Sequence, residues 1–298
     1  MDTLTQTPFG ELLTAVVTPF DEDGSVDYGT FWRLTRYLAD HGSDGIVVAG
    51  TTGESPTLSK VEKIALFKAA VDAVGDRVTV VAGTGTYDTR DSIELTRRAV
   101  DVGCDAVMAV TPYYSRPPQE GLYRHFTAIA DASDVPVMLY NIPARTARII
   151  EVDTLVRLAA HERIVAVKDA VDDIDFTTSA IEALPADFSV YSGSDSMTRA
   201  ICEAGGVGVV SVASHLVGPQ VRRLAHAAKT GEVGEAAKLA DALMPLFEAL
   251  FVEPNPMPLK AALSATWGSV GDPRLPLIPA DLGTTELVEQ ALEAAEAV

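Results

Sequence analysis

The sequence predicts an α/β fold, a (β/α)8 TIM barrel with a C-terminal helical appendage. Eight short apolar runs recur along the chain, and a helix-forming segment follows each. The last part of the chain keeps helix-forming residues but has no further strand run. Strands that alternate strictly with helices form a parallel sheet, and eight such units are the number that closes a barrel. An open, doubly wound sheet is the competing arrangement.

The runs are LLTAVV (12–17), GIVVAG (45–50), VTVVAG (78–83), AVMAVT (106–111), VPVMLY (135–140), IVAVK (164–168), FSVYSG (188–193) and VGVVSV (207–212). None alternates cleanly between apolar and polar residues, which is the pattern of strands buried on both faces. Helices are expected over 57–73, where Ser59 and Glu62 read as a capping box, and over 89–102 after Asp88. Shorter ones are expected over 153–160, 177–184 and 197–204. GGVGV (205–209) reads as a tight turn into the eighth strand. Beyond Gly231, segments 232–251 and 282–297 are rich in Ala, Leu and Glu. EPNPMPLKAALSATW between them places three prolines before a short helical stretch. The expected organisation is a catalytic barrel at 1–231 and a helical region at 232–298 packed on it, with no low-complexity linker between them.

Twenty-three Lys and Arg against 42 Asp and Glu give a net charge of −19, which repels nucleic acid and anionic membrane surfaces. Cys104 and Cys202 are far apart and outside any CxxC pair, which predicts reduced thiols and a cytoplasmic protein. The N-terminal MDTLTQTPFGELL has neither the basic segment nor the apolar run of a secretory signal. No stretch of the chain is apolar for long enough to span a bilayer.

In parallel barrels the active site lies at the C-terminal strand ends. Of seven lysines, only Lys168 ends a strand run; the other six fall on expected helices, where lysine is ordinary surface. Burial favours a neutral amine, which can attack a carbonyl to form a Schiff base. The competing reading is a lysine that snorkels to the rim or pairs with Asp169. Tyr140 ends the fifth run and could move protons, or it could be a core tyrosine. Arg145, five residues on, suits a carboxylate, though a surface ion pair is the plainer use. AGTTGES (49–55) turns backbone N–H groups and hydroxyls toward an anion, but it is neither a Walker loop nor G-x-G-x-x-G. TPYYSRPP (111–118) makes a stiff aromatic loop suited to an interface or a lid. The five histidines show no metal-ligand spacing, so no metal is expected.

These motifs together, GTTGES, TPYY-x-RP, YN-x-P-x-R-T and VKDA, resemble the dihydrodipicolinate synthase / N-acetylneuraminate lyase family. The likeness runs from TAVVTPF (14–20) to FVEPNPMPLK (251–260). It implies that Lys168 carries a covalent pyruvate imine with no other cofactor. Tyr140 would relay protons with Thr51 and Tyr114, the last reaching into a neighbouring subunit's site. It further implies that Thr51 and Thr52 hold the pyruvate carboxylate and that Arg145 receives the carboxylate of aspartate-4-semialdehyde. Gly193 and Val210 would supply backbone near the pyruvyl group. Expected partners are the two small-molecule substrates, with a homotetramer built as a dimer of dimers, and no nucleic acid or membrane. Two anionic substrates predict a locally positive site.

The chain departs from many relatives in carrying Val171 and Asp172 after the lysine motif and SGSD at 192–195. In lysine-inhibited relatives an interface site binds free lysine. The matching positions here are Lys60, Lys63, Tyr87 and Asp91, and two lysines there would repel that ligand, so weak or absent inhibition is expected. A sugar-acid aldolase of the same family is the alternative activity, disfavoured by Arg145. A barrel that only binds its ligand would have no need of Lys168, Tyr140, Thr51 and Tyr114 together.

Overall fold

Eight parallel strands pair in chain order, and the eighth returns to the first, closing a barrel. A computed structural model describes residues 7–298; the first six residues of the N-terminal segment read above lie outside it. The strands are β1 (Leu12–Ala15), β2 (Gly45–Val48), β3 (Thr79–Gly83), β4 (Ala106–Val110), β5 (Val137–Asn141), β6 (Ile164–Asp169), β7 (Ser189–Ser192) and β8 (Gly208–Ser211). All eight expected runs are strands. Most ladders are shorter than their runs because the last residues turn into loops, as Ala49 does with φ 53°. Two ladders run one residue past the sequence reading. β5 continues past Tyr140 to Asn141, whose side chain bonds Ile150 O at 3.2 Å and Ile150 N at 2.9 Å. β6 continues past Lys168 to Asp169.

The helices on the barrel's flank are α1 (Tyr28–Asp40), α2 (Lys60–Val74), α3 (Thr89–Asp101), α4 (Gln119–Asp131), the short α5 (Pro143–Thr146), α6 (Val152–Ala159), α7 (Ile174–Ala183), α8 (Thr198–Glu203) and α9 (Ser214–Thr230). Ser59 and Glu62 form the expected capping box, and α2 starts at Lys60 rather than 57 because residues Ser55–Thr57 make a 3-10 turn. Asp88 caps α3 by accepting from Arg90 N and Asp91 N. α9 ends at Gly231, in the left-handed conformation at φ 80° that glycine adopts without strain. Then come α10 (Val233–Ala249), α11 (Met257–Thr266) and α12 (Leu282–Glu296). α10 and α12 pack on α9, and α10 also meets α8.

The core has two shells, which explains the unbroken apolar runs. Leu13, Val47, Val81, Met108, Met138, Ala166 and Val210 fill the barrel interior. Their strand neighbours Leu12, Ile46, Val80, Val107, Leu139, Val167 and Val209 face the helices. The expectation that every lysine except Lys168 is ordinary surface fails twice: Lys63 and Lys260 are buried.

His215 ties the C-terminal ends of β1 and β8 together. Its Nδ1–H donates to Val212 O at 2.8 Å, and its Nε2 accepts from Val17 N at 3.3 Å. Burial pushes its pKa down to about 4. The unfolded chain, with an ordinary imidazole near 6.5, therefore takes up this proton first as the pH falls. Stability held above about pH 6.5 is lost toward about pH 4. His215→Gln should lower the slope of unfolding free energy against pH in that window by up to about 1.4 kcal/mol per pH unit. Equal slopes in denaturant titrations of the two proteins would contradict this.

Candidate active site

β6 sets the central residue. Ala166, Lys168 and Ala170 point into the barrel, while Val167 and Asp169 point outward. Lys168 is only 4% exposed, so it does not snorkel to the rim. It does not pair with Asp169 either, whose carboxylate accepts from the Thr177 hydroxyl of α7 at 2.5 Å. Burial pushes Asp169 up to about 6. Tyr140 and Tyr191 stand beside Lys168 in the ladder, one on each flanking strand. Lys168 Nζ lies 4.3 Å from the centre of the Tyr140 ring, within cation–π range. Tyr191 forms the floor. Its hydroxyl donates to Gly10 O at 3.0 Å and accepts from Phe9 N at 3.3 Å, so it is committed to the closed end of the barrel. The Tyr140 hydroxyl has no hydrogen-bond partner among the described residues, so it is free to engage a ligand.

The loop after β2 turns sharply over the mouth. Glu54 N donates to Thr51 O at 3.0 Å, and Ser55 N donates to Gly50 O at 3.2 Å. The Thr18 hydroxyl donates to Gly53 O at 2.7 Å. A side chain on Gly53 would stand 3.0 Å from Val16 O, so the close approach to β1 needs glycine. Thr52 is buried and Thr51 half-buried. At the end of β7, Gly193 N donates to Asp169 O at 2.6 Å, and a Cβ there would lie 2.8 Å from the Ala170 Cβ.

Two cavities open at this mouth. The larger, about 700 Å³, is lined by Lys168, Tyr140, Thr51, Thr52, Arg145 and Gly193, among others. The smaller, about 210 Å³, shares Thr51, Tyr140, Ile142 and Arg145 and extends toward β3 and β4 over Gly83, Met108 and Tyr113. Lys168, Tyr140, Thr51, Thr52, Arg145 and Gly193 are thus brought together. Val210 lies inside the barrel, and Val212, two residues on, lines the larger cavity instead. No hydrogen bond joins Thr51 to Tyr140 among the described residues. Tyr114 is 96% exposed at φ 70° and lines neither cavity; its neighbour Tyr113 packs edge-on against Tyr87 at 5.3 Å.

The expectation of a locally positive site needs correcting. Lys168 and Arg145 share the larger cavity with Asp172, Asp195, Glu248 and Glu253. Asp195 is consumed by the turn after β8, where it accepts from Ser211 Oγ at 2.5 Å and from the N–H groups of Val212 and Ala213 at 2.9 Å each. Burial raises its pKa, while those bonds and the Lys168 charge oppose the rise. Asp172 accepts from Ser194 Oγ at 2.5 Å. Lys168 and Arg145 therefore share the mouth with Asp172 and Asp195 from the loops after β6 and β7, and Glu248 and Glu253 line the side formed by the C-terminal region.

That region supplies wall residues which sequence reasoning left out: Phe247 from α10, then Phe251, Glu253 and Asn255. The only local sign was a polar residue between two prolines in EPNPMP. Among the described residues no group of three or more His, Cys, Asp or Glu gathers as a metal site would need, and no helix is long and apolar enough to cross a membrane.

A closed parallel barrel with a buried lysine and tyrosine at the strand ends, beside a loop carrying the Thr51 and Thr52 hydroxyls, has the arrangement of a barrel enzyme with its site at the strand ends. The model of the dihydrodipicolinate synthetase family matches residues 8–295, and the chain belongs to that family. It is 50% identical over 285 residues to the 4-hydroxy-tetrahydrodipicolinate synthase of Heliobacterium modesticaldum, covering 96% of this chain and 95% of that one. The lysine-bound enzyme of Cyanidioschyzon merolae superposes with a TM-score of 0.95 at 42% identity, covering 98% and 100% of the two chains. The pyruvate complex of the Acinetobacter baumannii enzyme gives 0.94 at 37% identity, covering 97% and 100%.

Proposed function

We infer that this protein condenses pyruvate with aspartate-4-semialdehyde, through an imine on Lys168, to give 4-hydroxy-tetrahydrodipicolinate for diaminopimelate and lysine synthesis. The observation that carries the chemistry is Lys168, buried in the mouth beside the unpartnered Tyr140 hydroxyl and under the Thr51–Thr52 loop. The relatives' shared activity carries the substrate pair.

The Lys168 amine adds to the pyruvate ketone and water leaves, forming the imine. Tyr140 takes a methyl proton and the imine becomes an enamine. The enamine carbon attacks the aldehyde, forming the carbon–carbon bond as the aldehyde oxygen is protonated. The substrate amine then attacks the imine carbon, closes the ring and releases Lys168. The imine supplies carbonyl activation that would otherwise call for a metal.

Thr51, Thr52 and the turned backbone receive the pyruvate carboxylate, and Gly193 leaves room beside the pyruvyl group. Arg145 has no ion-pair partner among the described residues and serves the carboxylate of the aldehyde. Glu248 and Glu253 across the cavity suit that substrate's ammonium group, which a sugar acid lacks. The exposed Tyr114 completes the Tyr140–Thr51 relay in a neighbouring subunit, which requires at least a dimer and accords with a dimer of dimers.

Borohydride reduction in the presence of pyruvate tests this. One pyruvyl adduct mapping to the Lys168 peptide supports it; no adduct, or one on another lysine, refutes it.

The chain is also expected to resist free lysine. Lys60 Nζ already holds Asp91 and Glu94, each at 2.8 Å, and Lys63 fills the neighbouring position with a buried side chain. Half-inhibition by L-lysine should need more than about 1 mM, a binding energy weaker than about 4 kcal/mol. Half-inhibition well below that would contradict the assignment.

A further inference from the structure

The hydroxyl of Thr52 is held from a distant part of the chain. Asn255 Nδ2 donates to Thr52 Oγ1 at 2.9 Å across 203 residues of sequence. Both side chains are buried and both line the Lys168 cavity. A hydroxyl that accepts from an amide keeps its own proton to donate elsewhere. The rest of the loop is clamped from the same side. Glu54 Oε1 pairs with Lys260 Nζ of α11 at 2.7 Å, and Glu54 Oε2 accepts from Arg274 N at 2.8 Å. The backbone beneath Thr52 therefore has little freedom to turn that proton away.

We propose that Asn255 is a positioning residue for the carboxylate subsite: its amide N–H holds Thr52 Oγ1 as an acceptor and thereby aims the threonine proton at the carboxylate of bound pyruvate. This rests on the reading of Thr51 and Thr52 as the carboxylate loop. Asn255 Oδ1 has no partner among the described residues, so replacing Asn255 breaks the bond to Thr52 and no other side-chain bond. An oriented hydroxyl–carboxylate bond contributes about tenfold in affinity.

A double-mutant cycle separates this role from a merely structural one. The concentration of pyruvate that gives half-maximal borohydride trapping is measured for the wild type, Asn255→Ala, Thr52→Val and the double variant. Asn255→Ala should raise it about tenfold in the wild-type background and less than about twofold in the Thr52→Val background. In the coupled assay the KM for pyruvate should rise in step, while kcat and the KM for aspartate-4-semialdehyde change little. Equal effects in both backgrounds, or an unchanged pyruvate response, would overturn the proposal. If Asn255→Ala does not fold, Asn255→Asp keeps the shape, removes the N–H donor and takes its place in the cycle. Absence of trapping in the wild type would instead overturn the imine reading itself.

Discussion

Lys168→Ala should abolish turnover, by on the order of 10^4-fold or more, the scale on which enzymes lose rate when a covalent nucleophile is removed. The size follows from what the amine does in every step. In the proposed mechanism it would convert a ketone into an electron sink, lower the barrier to losing the methyl proton, and hold the enamine where the aldehyde arrives. Among the described residues no other amine lines the cavity. The variant should fold, because Lys168 has no ion pair within contact distance to break among the described residues: its Nζ lies against the Tyr140 ring face, and the Asp195 carboxylate that feels its charge keeps its bonds to Ser211, Val212 and Ala213. Thermal unfolding within a few degrees of the wild type, with no measurable turnover and no borohydride adduct, is the expected outcome. Residual turnover within a hundredfold of the wild type would show that the chemistry does not pass through this amine.

Lys260→Met should give the second large effect, on stability instead of chemistry. Lys260 and Glu54 are almost wholly inside, with side chains 2% and 1% exposed and 2.7 Å between the charges. Burial depresses the lysine pKa and the Glu54 charge opposes that, so the pair holds its charges jointly. Lys260 Nζ also lies 4.3 Å from the Phe20 ring centre in the loop after β1. Removing only the cation strands a buried carboxylate, which costs about 3–5 kcal/mol. For a chain of this size the melting temperature should fall by roughly 10 °C. Glu54→Gln combined with Lys260→Met removes both charges, keeps an acceptor for Arg274 N and should recover most of the loss. Loss of stability in the double variant equal to that in the single one would show that the charges are not the cause.

Much of the fold was legible because local rules and tertiary structure agree. The strand runs are apolar on both faces since one face fills the barrel and the other meets helices, and α2 begins where Ser59 and Glu62 can cap it. Lys168 was legible as the only lysine ending such a run. The clamp on the β2 loop was not. Asn255 and Lys260 stand in a segment whose composition says only proline and helix, and their partners Thr52 and Glu54 lie some two hundred residues away. Nothing in a short window distinguishes a helix lysine facing water from one turned onto a buried glutamate. The charge of the site was misjudged for the same reason: the carboxylates on its outer side come from α10 and the segment after it. Tyr114 was legible as part of a stiff, exposed aromatic loop, and it stands 96% exposed at φ 70°.

The most direct test of the central claim is a coupled assay of the purified protein with pyruvate and aspartate-4-semialdehyde, read by reduction of the cyclic product, with cleavage of N-acetylneuraminate measured in parallel. Turnover of the first pair without cleavage of the sugar acid is the predicted result. Cleavage of the sugar acid without condensation of the first pair would contradict it, and with it the role given to Arg145.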